Sequence, residues 1–206
     1  MQRRKFLLLC VLALGGCASG VWYLPSYYDL PPEKSGVVIA SVGGEWPMNA
    51  RFSVEFRPIP ATNTIGEFVF LRNSIFSRIP IDIQHGSTYA TVATHRLPPG
   101  KYEITGAMVM VGLGAAQLYY SDKRPFSFPF EIQAGKATYL GEFLARSVQS
   151  EGNLRAIYTV QNKQSRDLEI LRKRSLEFQP DNVINAVMDK NQSSNSIFVR
   201  LSDGPL

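Results

Sequence analysis

Arg96-Leu97-Pro98-Pro99-Gly100-Lys101-Tyr102-Glu103-Ile104 is the stretch that decides the fold. Pro-Pro-Gly makes a tight turn, because proline presets φ and glycine accepts conformations that other residues resist. Tyr102 and Ile104, two positions apart, share one face of the strand that leaves the turn. Before the turn, residues 88–94 are β-branched and aromatic, as a strand prefers. After it, residues 104–121 carry no charge over 18 residues. A membrane-spanning helix needs about 20 predominantly apolar residues. Gly106, Gly112, Gly114 and Gln117 weaken that reading here. The better reading is a long strand, a glycine bend near residues 112–114, and a second strand over 117–120.

Working outward, the β pattern continues. Val37, Val38, Ile39 and Ala40 form an apolar run closed by Gly43-Gly44. Phe52, Val54 and Phe56 alternate with Arg51, Ser53, Glu55 and Arg57, the period of a half-buried strand. Pro58 and Pro60 end it. Residues 68–71 form another apolar block, and Ile79, Ile81 and Ile83 alternate. Leu154, Ala156, Tyr158 and Val160 finish the β-rich region. Composition then shifts. Ser165 is placed to cap a helix through about Lys173, with Asp167 and Glu169 early and Arg172, Lys173 and Arg174 late, in the order that suits the helix dipole. Pro180 suits the first turn of a second helix, on which Val183, Ile184, Val187 and Met188 form an apolar stripe. Residues 190–196 are polar. Ile197, Val199 and Leu201 alternate, as a last edge strand would.

The Leu97-Pro98-Pro99-Gly100-Lys101-Tyr102 turn resembles one that recurs in transthyretin-like and carboxypeptidase-regulatory-like β-sandwiches and in envelope lipoproteins of related build. Residues 130–143, with Ala134-Gly135-Lys136 at their centre, resemble the strand–turn–strand hairpin of the same families. The resemblance implies a mainly β fold: an antiparallel β-sandwich of the transthyretin-like kind over residues 36–162, with one or two C-terminal α-helices. Residues 163–206 form a helical extension and tail. A shared fold says almost nothing about function.

The chain opens differently. Arg3, Arg4 and Lys5 precede nine apolar residues, 6–14, and then the small residues Gly15 and Gly16. This is the layout of a secretory signal, and the run is too short to span a bilayer. Leu14-Gly15-Gly16-Cys17 resembles the lipobox of bacterial lipoproteins. The resemblance implies cleavage after Gly16, a thioether-linked diacylglycerol on Cys17, and a further acyl chain, such as palmitate, on the new amino terminus. Ala18, where an aspartate would retain the protein, resembles the default sorted to the outer membrane of enteric-type hosts, on its periplasmic face. The inner membrane and the cell surface stay open as addresses. Arg3-Arg4-Lys5-Phe6-Leu7 also resembles a twin-arginine export core, although Gln2 stands where Ser or Thr is usual. Residues 1–16 are thus the leader, and residues 17–35 the lipidated cysteine and a tether. Pro25, Pro31 and Pro32 stiffen that tether. Its Trp22, Tyr23, Tyr27 and Tyr28 suit either a lipid headgroup layer or packing against the domain.

Loss of residues 1–16 leaves 190 of 206 residues, enough for one domain with a core. The formal charge of +5 falls to +2 without Arg3, Arg4 and Lys5, so the basic balance is no argument for nucleic acid. Of the two cysteines, Cys10 leaves with the leader and Cys17 takes the lipid, so core packing rather than a disulfide must hold the domain.

Chemistry-bearing patterns are sparse. No nucleophile elbow, phosphate loop or zinc-protease motif occurs, and no cofactor or metal site is expected. His85 and His95 lack ligand partners at metal spacing and read as loop or edge histidines. Glu131 and Glu142 flank the Gly135 turn and read as outward strand charges. Tyr119 and Tyr120, near Lys123 and Arg124, suit a ligand lip, and Trp46 an aromatic-lined concavity. Arg172, Lys173 and Arg174 could also touch anionic headgroups, but the dipole accounts for them. The favoured reading is a non-catalytic lipoprotein displaying an interaction domain to another envelope protein or a glycan. The alternative is a binding module for a glycan or small molecule. An enzyme, a hydrolase for instance, would need His85 or His95 to converge with a carboxylate and a hydroxyl.

Overall fold

The computed structural model describes residues 22–23, 30–45, 49–71, 79–113, 116–121, 127–150, 153–174, 182–188 and 196–201. The strands are β1 (Trp22–Tyr23), β2 (Gly36–Gly44), β3 (Ala50–Ile59), β4 (Thr64–Leu71), β5 (Ile83–His85), β6 (Thr88–Leu97) and β7 (Gly100–Leu113). They continue with β8 (Ala116–Ser121), β9 (Phe128–Ile132), β10 (Ala137–Ser150) and β11 (Asn153–Gln161). One helix, α1 (Gln164–Arg174), precedes β12 (Val183–Asn185) and β13 (Ser196–Leu201).

The fold is a mostly antiparallel β-sandwich with a single helix among the described residues. One layer is built on β4, β3 and β7, the other on β5, β6, β2, β10 and β11, and β8 and β13 join them. The period-2 reading of residues 51–57 holds: Phe52, Val54 and Phe56 are fully buried, facing Val38, Val42, Leu140 and Phe143 from the other layer. The uncharged stretch that invited a spanning helix is the end of β7 and β8, paired from Met108↔Ser121 to Leu113↔Ala116. No helix among the described residues is long and apolar enough to cross a membrane.

The two longest strands each contain a bulge. Register along β7 slips between Glu55↔Gly106 and Phe56↔Ile104, leaving Thr105 as the extra residue. Along β10 it slips between Tyr139↔Ile39 and Glu142↔Ser41, where two residues oppose Ala40. A bulge adds one residue and so changes which face later side chains meet. Ile104 and Ala107 therefore both reach the core, as do Leu140 and Phe143, although each pair is three apart. Gly141 takes φ +116 at the second bulge, a conformation that other residues adopt only with strain.

Three expectations change. The second helix is not formed where its apolar stripe was placed. Val183–Asn185 is a strand running parallel to Ala137, Thr138 and Tyr139 of β10. It occupies the length of β10 edge left free where β11 stops at Gln161, and Ala186 N–H extends the ladder to Tyr139 O at 2.8 Å. The C-terminal strand is not at an edge: β13 pairs with β11 on one side and β8 on the other. Alternation shows a strand's two faces but not whether both its edges are paired. In the 79–83 run only Ile83 is in a strand. Pro80 interrupts the ladder, Ile79 packs on the core and Ile81 is 51% exposed.

Helix α1 covers the outer face of the second layer. Leu168 and Leu171 pack with Ile39, Val92, Ala137 and Tyr139 in a second cluster. It starts one residue before Ser165, and the side chain that receives its first N–H is Asn162, at 3.1 Å from Gln164 N.

Close approach rather than conformation explains Gly43. A Cβ there would lie 2.1 Å from Tyr89 O and 2.5 Å from Ala90 Cα, both backbone atoms that cannot swing away. Gly43→Ala is therefore expected to destabilise the leaderless protein by about 2–3 kcal/mol, in the range of overpacked cores. Gly86→Ala, with open space around its Cβ, is expected to cost less, from its left-handed φ of +57 alone. Urea unfolding midpoints compare the two.

Candidate functional site

Cys17 and Trp46 lie outside the described residues, as do Lys123 and Arg124. Tyr119 and Tyr120 sit in β8, in register with Met110 and Val109 respectively. Consecutive strand positions belong to opposite faces, so these two positions do not share a face. His85 ends β5 in an exposed position beside the turn at Gly86. Glu131 is exposed on β9, as expected.

His95 lies on β6 beyond the length paired with β5, and its ring turns inward rather than to the surface. The residue stands opposite Val38 of β2, while β5 pairs only with residues 88–90 of β6 and does not extend to it. Its ring projects into the interlayer core, against Phe68 (centroids 5.0 Å) and Phe56 (5.6 Å) in edge-on geometry. Nε2 lies 2.8 Å from the Glu67 carbonyl of β4. A carbonyl can only accept, so Nε2 carries the proton. Burial lowers the His95 pKa, outweighing the opposite pull of the Glu67 carbonyl and charge. The ring is a neutral strut between layers. On the far side of β4, Arg51 reaches across Ser53 to Glu67 Oε2 at 2.5 Å. Glu55 stands directly opposite Glu67, and its carboxyl pKa is raised by burial first and by the Glu67 charge second, with Arg51 opposing. Ser53 Oγ and Arg51 Nε are buried there without hydrogen-bond partners.

The densest polar constellation joins α1 to the sheet, and sequence reasoning missed most of it. Asp167 is fully buried. Its Oδ2 accepts from Tyr139 OH at 2.7 Å and from Ser41 Oγ, and its Oδ1 accepts from Arg166 Nε at 2.8 Å. Arg166 Nη2 also donates to Glu142 Oε1 at 2.6 Å. Tyr139 OH accepts from Lys163 N–H at 3.2 Å, at the start of the helix. Burial, then the Asp167 charge, pushes the Tyr139 hydroxyl pKa well above its ordinary value. Glu142, expected to point outward, is 2% exposed. The bulge at residues 140–141 is the reason. Without it Tyr139 and Glu142, three apart, would face opposite ways. With it both meet α1. The other end of the helix is clamped by Arg174, which donates to Val92 O at 2.9 Å and to Asp82, while Lys173 pairs with Glu169 at 2.7 Å. Two of the three late basic residues are thus engaged within the chain. These groups fasten a helix. Every polar atom of Asp167 that faces the sheet is spent on a neighbour.

The segment ahead of the sandwich makes the other constellation. Residues 30–35 are docked on the Ala134-Gly135 turn: Gly135 N–H donates to Ser35 O at 2.8 Å and to Pro32 O at 3.1 Å. Ser35 Oγ donates to Pro31 O at 3.0 Å and accepts from Arg96 Nη1 at 3.2 Å. Ser35 is 2% exposed, so the packed body begins ahead of Gly36. Further back, β1 lies parallel to β4, Trp22↔Thr64 and Tyr23↔Ile65. The backbone of this aromatic pair is laid on the domain.

No family model, curated protein or solved structure matches this chain. Among the described residues, no three His, Cys, Asp or Glu side chains are grouped to hold a metal ion.

Asp167→Ala is expected to lower the unfolding free energy by about 3 kcal/mol, because it strands buried Ser41 and Tyr139 hydroxyls. Lys173→Ala should leave it unchanged, and urea melts decide. His95 supplies a pH test. Above the ordinary histidine pKa of about 6.5, neither folded nor unfolded chains hold the extra proton. As pH falls below that, unfolded chains take it up and the folded ring resists, so stability drops until the lowered folded pKa is passed. His95→Gln is expected to show a smaller loss of urea midpoint than wild type between about pH 7 and about pH 5.

Proposed function

We propose that this chain is a non-catalytic lipoprotein of the bacterial envelope, held by acyl chains on Cys17 and presenting the sandwich on the periplasmic face of the outer membrane as an interaction module. The observation that carries the reading is Leu14-Gly15-Gly16-Cys17 placed directly after a basic start and a nine-residue apolar run. One acyl chain holds a protein only marginally, whereas two or three hold it stably, at about 0.8 kcal/mol per buried methylene. A tether that rejoins the body at Trp22 and Leu30 is consistent with an anchor of short reach. The non-catalytic part is supported by where the polar groups are committed. His95 is tied to a backbone carbonyl, and Asp167, Glu142 and Ser41 to helix docking. The partner on this reading is another envelope protein or a glycan, and the transthyretin-like resemblance leaves its identity open.

Cys17→Ser is expected to abolish acylation, leaving product that is either uncleaved or washed from membranes by salt and carbonate. Fractionation of cells expressing the variant checks this. A variant that stays membrane-bound with its leader removed would contradict the anchor.

A further inference from the structure

The geometry points to one end of the sandwich as the surface that rests on the phospholipid headgroup layer. We infer that the pole formed by residues 59–63, 98–101 and 133–136, with residues 32–34, is apposed to the leaflet that holds the acyl chains. This rests on the lipid anchor proposed above and adds an orientation to it.

These segments lie together by register. Ile59 is opposite Lys101, Gly36 is opposite Leu97, and Val37 is opposite Ala137. The turns at 60–63, 98–99 and 133–136 therefore leave the sandwich at the same end. Strand β1 fixes where the anchor can be. It pairs in parallel with the start of β4, so Trp22 is level with Thr64 at this pole. Cys17 lies only five positions before Trp22. Fully extended, that length reaches about 18 Å. The eight residues of β4, from Thr64 to Leu71, span about 23 Å. Cys17 thus cannot reach the level of the far pole, where Glu45, the Gly86 turn and Arg146 lie. The second attachment agrees, since residues 30–35 are bonded to Gly135 and Arg96 at the near pole.

The chemistry of this end suits a headgroup layer. Ile59 is 40% exposed, and Pro60, Pro99 and Lys101 are exposed beside it. Lys34 and Lys136 are exposed too, and Glu33 and Glu131 nearly balance the three lysines. The contact is therefore set by tether length and a small apolar tip rather than by a cationic patch.

With Cys10 removed and Cys17 blocked as a thioether, an introduced cysteine is the one free thiol. Ala61→Cys at the near pole and Ser87→Cys at the far pole both replace small exposed residues. Each acylated protein, bearing a fluorophore, is placed in phosphatidylcholine vesicles containing a nitroxide-headgroup lipid. The proposal expects several-fold stronger quenching at position 61 than at 87. Equal quenching, or stronger quenching at 87, overturns it. Detergent-phase partitioning of the same samples separates the two readings. Protein that enters the detergent phase but shows equal quenching keeps its anchor and loses its orientation. Protein that stays in the aqueous phase has neither.

Discussion

Phe56 is the contact on which the sandwich closes. It is fully buried on β3 and meets Phe68 of β4 at 5.1 Å, His95 of β6 at 5.6 Å and Phe130 of β9 at 6.2 Å between ring centroids. Four strands from both layers converge on one ring. Gly66 makes this geometry available, because a Cβ there would sit 2.2 Å from the Phe56 ring. Such aromatic pairs add about 0.5–1.5 kcal/mol each beyond the area they bury. A chain with two cysteines, both at positions 10 and 17, has no disulfide within the body to share that load. Rings stacked at Phe52–Phe70 and Tyr102–Phe130 extend the same seam.

The seam positions everything peripheral. It fixes β4 and so the place where β1 lies. Through β2 and β10 it carries the opposite layer, whose outer face receives α1. The two bulges decide which face of each long strand the later side chains take. Each shifts the side-chain alternation by one, so that one length of β10 faces the helix with Ala137, Tyr139 and Glu142, while Leu140 and Phe143 face the core. The cost is a buried Asp167 and Glu142, compensated by Arg166, which stays 36% exposed and keeps contact with water.

Much of this body is written in local pattern. Phe52, Val54 and Phe56 announce their strand by alternation, Pro98-Pro99-Gly100 and Ala134-Gly135-Lys136 their turns by backbone chemistry, and Asp167 to Arg174 the helix by its charge order. What was not legible depends on partners remote in sequence. Val183 and Ile184 fit a helical stripe as well as a strand, and only the vacant edge of β10 decides between them. The place of β13 between β8 and β11 requires both to be folded first. His95 looks like a surface residue because its acceptor, the Glu67 carbonyl, has no signature in a sequence. Glu142 could have been suspected, since a glycine inside a strand pattern often marks a bulge, and Gly141 stands directly before it. The proposed anchor is the reverse case: its motif at residues 14–17 is plain in the sequence and owes nothing to the fold.

These halves meet in one proposal, that a short lipidated lead holds a disulfide-free sandwich against a bilayer. Intact-mass measurement of the protein extracted from native membranes tests this most directly. The proposal predicts a chain beginning at Cys17 and heavier than its amino acids by a thioether-linked diacylglycerol, with or without a third acyl chain. A chain still starting at Met1, or one beginning at Cys17 with no added mass, would contradict it.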